Sequence, residues 1–137
     1  MINILVVEDS AVDRMLIGGL LGKQADWNIE FANDGQEALD RIGSRTNDDQ
    51  RSNEPNVIIT DLQMPTVDGL QLVRRLRTTH ADIPVVLVTS QGSEAIALDA
   101  LRAGATSYTP KSMMQSDLVS TVTVSYTHLT LPTTPYV

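Results

Sequence analysis

One stretch decides the fold of this chain: Val57-Ile58-Ile59-Thr60-Asp61. Four β-forming residues lead directly to a carboxylate, and the loop that follows begins Leu62-Gln63-Met64-Pro65. A second apolar run, Ile2–Val7, ends in the same way, at Glu8 and Asp9. Because ligands bind outside the carboxyl ends of the strands in an open parallel α/β sheet, two buried strands that end in acids predict one site with three carboxylates.

Short apolar runs alternate with amphipathic stretches along the chain. The predicted strands are Ile2–Val7, Trp27–Phe31, Val57–Thr60, Pro84–Val88 and Thr106–Thr109. Helical spacing of apolar residues predicts helices that begin at Ser10 or Ala11, Asp34, Asp68, Ser93 and near Ser116. This alternation predicts an α/β fold, a doubly wound, five-stranded parallel sheet covered on both faces. Right-handed crossovers leave few topologies, and the flavodoxin-like strand order 2-1-3-4-5, which places strands 1 and 3 side by side, is one of them.

Length and composition limit the possible functions. The 137 residues suffice for one domain. A net charge of −7 argues against direct binding of nucleic acid, which needs a basic surface. The absence of cysteine excludes disulfides and thiolate metal sites. With no signal peptide and no apolar run long enough to span a bilayer, we expect a cytoplasmic protein that does not bind membranes.

The last fifteen residues, Thr123–Val137, differ in composition from the rest. They contain no Asp, Glu, Lys or Arg, but five threonines and two prolines. Residues 125–133 resemble the in-frame translation of a transposon-end sequencing adapter. We therefore predict a domain at residues 1–122 and a non-native tail at 123–137, with a threonine-rich natural terminus as the alternative. Since threonine and valine are poor helix formers and prolines follow, the fifth helix is predicted to be truncated to about two turns, leaving a partly uncovered sheet face near the first helix.

The predicted site suits the chemistry of phosphate. Three carboxylates in one pocket repel each other unless a cation is bound, and Mg²⁺ prefers a few carboxylates together with water and phosphate oxygens. One carboxylate could then act as a nucleophile on phosphorus. Hydroxyls from Thr89 and Ser90 at the end of strand 4, and the ammonium of Lys111 at the end of strand 5, could stabilise the arriving phosphoryl group.

Over residues 1 to about 122 the chain resembles a receiver domain of two-component response regulators. The resemblance rests on Ile4–Ser10, Ile59–Gly69, Val88-Thr89-Ser90 and the segment from Gly104-Ala105 to Lys111. The second segment is the most specific, because an aspartate at a strand end followed by Met-Pro and Asp-Gly is a distinctive receiver pattern.

The resemblance implies a phosphoacceptor and a metal site. Asp61 would take a phosphoryl group from a histidine kinase or a histidine phosphotransfer protein, in a phosphorelay that controls an output partner. Glu8 and Asp9 would hold Mg²⁺ together with Asp61 and the backbone carbonyl of Gln63. Phosphotransfer and dephosphorylation would be self-catalysed, in a signalling domain rather than an enzyme.

The resemblance also implies a conformational switch. Thr89 would hydrogen-bond the phosphoryl group, Lys111 would pair with it, and Tyr108 would turn inward when Thr89 moves. Gln63 and Ser90 would tune the rate of hydrolysis. The identity of the output partner cannot be read from the sequence.

The sequence departs from the commonest receiver pattern at two places. The acid pair is Glu8-Asp9 rather than two aspartates, a variant that should still bind the metal through a longer arm. Most receivers have lysine followed by a cis proline, whereas this chain has Pro110-Lys111-Ser112. We therefore expect the loop after Lys111 to be set differently, and the sequence leaves the exact placement of the ammonium open.

Two other functions fit part of the pattern. A phosphohydrolase of the haloacid-dehalogenase type would need a second aspartate two residues after the nucleophile, where this chain has Gln63. A pseudo-receiver used only for binding would not need Asp61, Thr89 and Lys111 together. Taken singly, these residues also have structural explanations: Glu8 and Asp9 could favour a helix N-terminus, Thr89 could cap a helix, and Lys111 could be a solvated surface residue.

Overall fold

The computed structural model describes residues 2–43, 54–64, 66–80 and 82–130, with side chains to Thr127. The strands are β1 (Ile2–Val7), β2 (Trp27–Ala32), β3 (Val57–Asp61), β4 (Val85–Thr89) and β5 (Ser107–Pro110). The helices are α1 (Ala11–Leu21), α2 (Gly35–Gly43), α3 (Gly69–Thr79), α4 (Glu94–Ala103) and α5 (Met114–Thr130), with a 3₁₀ turn at Lys111–Met113 before α5. Most of the polar segment between Gly43 and Asn56, and the proline that follows Met64, lie outside the described residues.

The five strands form one parallel sheet in the order β2-β1-β3-β4-β5, which confirms the predicted topology. Val7 of β1 lies opposite Thr60 of β3, and Thr89 of β4 lies opposite Pro110 of β5. These registers bring the carboxyl ends of four strands to the same edge of the sheet. The predicted site residues at the ends of those strands therefore lie next to one another.

Both faces of the sheet are buried, as expected for a parallel sheet. On one face, alternate strand residues such as Leu5, Ile58 and Leu87 pack against α2, α3 and α4. On the other face, the intervening residues, including Val6 and Ile59, pack against α1 and α5. The two cores pack on the sheet from both sides and thereby hold its carboxyl edge in place.

Polar side chains fix the starts of the helices near this edge. The Ser10 hydroxyl accepts a hydrogen bond from the amide of Asp13, at 3.3 Å, and begins α1. Asp34 accepts the amide of Glu37 at 2.8 Å, which confirms the predicted cap of α2. Asp68 caps the start of α3, as predicted, and there it also forms a capping box with Gln71.

The prediction of a truncated fifth helix is wrong. Helix α5 begins at Met114, before the expected Ser116, and extends over 17 residues to Thr130. Leu118, Val122 and Ser125 are buried against the sheet, so the second core is covered to its end. Burial of one face outweighs the weak helix propensity of threonine and valine, because packing supplies most helical stability in proteins.

Hydroxyl groups also find partners within this helix. Thr123 donates to the carbonyl of Val119 and Ser125 donates to that of Thr121, each at 2.8 Å. The Ser125 hydroxyl lies 3.0 Å from that of Ser107, which links α5 to the edge strand β5. The predicted boundary at residue 122 therefore falls inside a continuous helix.

Within the described parts of the chain, none of the helices has the length and the apolar composition that crossing a membrane requires.

Candidate functional site

Three carboxylates meet at the carboxyl edge of the sheet. Glu8 directly follows β1, Asp9 follows it, and Asp61 is the last residue of the adjacent strand β3. One ligand oxygen from each residue lies within 4.8 Å of the other two. Glu8 and Asp61 are buried and Asp9 is exposed, so the cluster has one side open to solvent. Hard divalent cations prefer this kind of oxygen donor set.

The ammonium of Lys111 lies within the same cluster. Its Nζ is 3.2 Å from Oδ2 of Asp61 and 3.3 Å from Oε1 of Glu8. A third carboxylate, from Asp13 in the first turn of α1, is closer still, at 2.6 Å. Burial alone would lower the pKa of Lys111, but the hydrogen bond that its ammonium donates to Asp13 and the charges of Asp61 and Glu8 outweigh burial and raise that pKa. The lysine therefore carries its charge throughout the physiological pH range.

Glu8 is the most perturbed acid of the site. Burial raises the pKa of its carboxyl from 4.5 to about 7, and the nearby charge of Asp61 also raises it. A hydrogen bond from the Ser10 amide to Oε2, at 3.1 Å, and the charge of Lys111 oppose this rise. The other oxygen, Oε1, is buried and receives no hydrogen bond from the described residues, although the Lys111 ammonium lies 3.3 Å from it as an ion pair. A buried carboxylate oxygen that accepts no hydrogen bond is suited to bind a cation.

The backbone around Asp61 is held by close contacts. The Thr60 hydroxyl donates to the carbonyl of Asp61 at 2.9 Å, and the amide of Gln63 donates to its Oδ1 at 3.4 Å. A Cβ on Gly69 would lie 2.5 Å from the Asp61 carbonyl oxygen and 2.8 Å from Cα of Leu62. Only glycine allows the start of α3 to approach the end of β3 this closely.

Thr89, Ser90 and Tyr108 lie beside the acidic cluster. Thr89 is buried at the end of β4, next to β3, and Tyr108 stands on β5 with 48% of its surface exposed. All three line a cavity of about 720 Å³, together with Leu98 and Leu101 of α4. The predicted hydroxyl and aromatic groups thus share one cavity, and Tyr108 is exposed to solvent there.

The structure therefore brings together most of the predicted site. Glu8, Asp9 and Asp61 are in mutual reach, and Lys111 contacts Glu8 and Asp61 although Pro110 precedes it. The residue that the sequence analysis missed is Asp13. An acid in the first turn of a helix has an ordinary explanation in the helix dipole, and its partner lies 98 residues away.

A family of sequences described as the response regulator receiver domain matches residues 4–123. The chain belongs to this family. Receiver domains act as phosphoacceptors in two-component signalling and generally bind Mg²⁺, and their family implies histidine kinases and output domains as partners. Membership argues against the haloacid-dehalogenase alternative.

Curated relatives of this receiver domain include the response regulator MprA. The protein of that name from Mycolicibacterium vanbaalenii is 34% identical over 119 residues, which cover 87% of this chain and 48% of the relative. MprA from Mycobacterium avium is 34% identical over 118 residues. The receiver domain spans about half the length of the curated relatives it matches.

Solved structures show the same fold. The receiver domain of NtrX from Brucella abortus is 26% identical, with a TM-score of 0.78, over 90% of this chain and 98% of that one. The signal receiver domain of a histidine kinase from Syntrophus aciditrophicus is 27% identical, with a TM-score of 0.80, over all of this chain and 98% of that one. Receiver domains of this shape thus occur in kinases as well as in response regulators.

Proposed function

We propose that Asp61 is the phosphoacceptor of this receiver domain, and that the donor is the phosphohistidine of a histidine kinase or a histidine phosphotransfer protein. A carboxylate oxygen of Asp61 attacks phosphorus and the phosphorus–nitrogen bond breaks. The imidazole leaves in its neutral form, its other nitrogen carrying the proton, and an acyl phosphate remains on Asp61. The supporting observation is the convergence of two further carboxylates and the Lys111 ammonium, 3.2 Å away, on Asp61.

In this proposal Glu8, Asp9, Asp61 and the backbone carbonyl of Gln63 hold Mg²⁺. Three carboxylates beside one ammonium leave an excess of negative charge. Among the described residues, Oε1 of Glu8 has an ion pair with Lys111 but receives no hydrogen bond. When bound, Mg²⁺ neutralises charge on the phosphoryl oxygens. The chain's own contribution is to aim the Asp61 carboxylate and to supply the positive charge of Lys111 beside it.

Thr89 and Tyr108 form the switch in this proposal. The hydroxyl of Thr89 moves to bond the phosphoryl group, which vacates space in the cavity that both residues line, and the exposed ring of Tyr108 turns into it. Gln63 and Ser90 flank the route of the water that hydrolyses the acyl phosphate and set its lifetime. Phosphotransfer and this dephosphorylation are catalysed by the domain itself.

The biological setting is also part of the proposal. We place the domain in the cytoplasm, where a kinase or phosphotransfer protein phosphorylates it and an output domain or separate protein responds. The net charge of −7 fits signalling through protein partners rather than through direct contact with nucleic acid. We keep the non-native origin of residues 123–137 as a separate proposal, which the coding nucleotide sequence tests.

Phosphorylation by a small donor tests the central claim. The protein is incubated with MgCl₂ and acetyl phosphate, and its intact mass is measured over time. We expect one phosphoryl group per chain, absent in Asp61→Asn and absent when EDTA removes the metal. Asp40→Asn, a substitution of an exposed aspartate in α2, is the matched control and should be phosphorylated like the wild type.

The remaining outcomes separate the alternatives. Steady hydrolysis of phosphate esters without a covalent adduct would favour a phosphohydrolase. No adduct with any donor, despite measurable Mg²⁺ binding, would favour a pseudo-receiver. An adduct that persists in Asp61→Asn would place the acceptor elsewhere and contradict the assignment.

A further inference from the structure

Lys111 is shared between the predicted phosphate site and a residue outside it. Its ammonium lies 2.6 Å from Oδ2 of Asp13, against 3.2 Å from Asp61 and 3.3 Å from Glu8. An ammonium has three donors, and Asp13 receives the shortest of the three contacts. The strongest interaction of Lys111 is therefore with Asp13, which is neither the phosphoacceptor nor one of the proposed metal ligands.

The position of Asp13 is fixed by the start of α1. Its amide donates to the Ser10 hydroxyl that caps the helix, so the carboxylate projects from the first turn toward the end of β5. The side chains of Asp13 and Lys111 are 24% and 22% exposed, and both are partly shielded from water. A short charge-assisted contact between two half-buried groups has a defined geometry.

Lys111 and Mg²⁺ compete for the same oxygens. The ammonium lies within 3.3 Å of carboxylate oxygens on two of the three residues that would hold the cation. A dication and an ammonium on the same carboxylates repel each other, so entry of the metal requires Lys111 to withdraw while remaining close to Asp61. An anionic partner on the far side of the ammonium, toward α1, meets this need.

We propose that Asp13 is a positioning residue that draws the Lys111 ammonium toward α1, and so weakens its competition with Mg²⁺ for the carboxylates of Glu8 and Asp61. This inference rests on the proposed metal site. Asp13 acts through Lys111 and touches neither the metal nor the phosphoryl group. Without it, the ammonium settles on Glu8 and Asp61 and becomes a stronger competitor of the cation.

Calorimetric titration with MgCl₂ tests the proposal on the whole chain. In Asp13→Asn we expect the dissociation constant for Mg²⁺ to rise roughly tenfold, the effect of losing one charge-assisted contact. Asp13→Glu should restore part of the affinity, because the carboxylate can still reach the ammonium. The matched control is Asp26→Asn, which removes the same charge at the opposite end of the sheet, where the Asp26 carbonyl bonds the amide of Ile2, and should bind like the wild type.

A double-mutant cycle separates positioning from simple loss of charge. In Lys111→Met the competing ammonium is gone, and Asp13→Asn added to this variant should change the Mg²⁺ affinity less than about twofold. A tenfold loss that persists without Lys111 would show that Asp13 attracts the cation directly and would overturn the proposal. Unchanged affinity in Asp13→Asn alone would overturn it too. A wild-type protein that shows no saturable Mg²⁺ binding would instead overturn the metal site and, with it, the role of Asp13.

Discussion

Glu8 should couple the stability of the folded domain to pH in a direction unusual for an acid. Its side chain is 1% exposed, and burial raises the pKa of the carboxyl from 4.5 to about 7. The folded protein therefore binds a proton at Glu8 more tightly than the unfolded chain does. Replacing Glu8 by glutamine, which keeps the shape but cannot ionise, removes this coupling.

The sign and the size of this effect follow from the linkage between proton binding at Glu8 and unfolding. Between pH 4.5 and 7 the folded state holds more protons at this site than the unfolded state, so the free energy of unfolding falls as the pH rises. At about 1.4 kcal/mol per pH unit, the full effect is about 3 kcal/mol. This contribution is present below pH 4.5 and is lost as the pH rises through about 7.

Urea unfolding at a series of pH values, in the absence of divalent metal, measures the effect. Relative to the wild type, Glu8→Gln should gain up to about 3 kcal/mol of stability between mildly acidic pH and pH 8. Glu94→Gln, at an exposed position in the first turn of α4, is the control and should keep the wild-type dependence. Parallel curves for wild type and Glu8→Gln would refute the reasoning.

The same proton should oppose Mg²⁺. Since the metal requires the ionised carboxylate, the apparent affinity for Mg²⁺ should fall by up to tenfold for each pH unit below about 7. Added MgCl₂ should accordingly stabilise the wild type more at pH 8 than at acidic pH, and should stabilise Glu8→Gln little at either. Equal stabilisation at both pH values would show that Glu8 does not hold the cation.

Three further predictions concern the framework of the site. Thr109 has a buried hydroxyl that finds no hydrogen-bond partner among the described residues, whereas the buried Thr60 hydroxyl donates to the Asp61 carbonyl. In urea unfolding, Thr109→Val should therefore stabilise the domain by about 1–3 kcal/mol and Thr60→Val should not. A loss of stability in Thr109→Val would mean that its hydroxyl is satisfied in solution. Gly69→Ala should destabilise the domain by about 1–3 kcal/mol in the same assay, because the new Cβ meets the backbone of Asp61. The same substitution should slow phosphorylation by acetyl phosphate. Wild-type behaviour in both assays would contradict this close approach. A proline at Thr123, in the middle of α5, should cost about 3 kcal/mol or more, and unchanged stability would mean that the helix ends earlier in solution.

The topology and most element bounds could be predicted because they depend on local patterns. Short apolar runs and the helical stretches between them suffice to place five strands, and the predicted strand bounds agree with the structure to within one residue at each end. Right-handed crossover rules then limit the strand order. Because parallel strands align their carboxyl ends, the meeting of Glu8, Asp9 and Asp61 follows from the order alone.

Two features depend on tertiary contacts that no local pattern encodes. The length of α5 was underestimated because helix propensity was weighed without the sheet surface on which Leu118 and Val122 pack. Asp13 was missed because nothing near it in the sequence identifies its partner. Only the docking of α1 beside the end of β5 brings its carboxylate to Lys111.

The contacts of Lys111 also set the order in which the site can be completed. Its ammonium joins residues 98 positions apart when it bonds Asp13, and 50 positions apart when it bonds Asp61. Because a domain generally folds as a unit, the acids at the ends of β1 and β3 gain their internal cation only when the segment through Lys111 has joined the sheet. Until then, protons or metal ions from solution are left to neutralise the carboxylates. Competence for phosphorylation is thus acquired with the addition of β5.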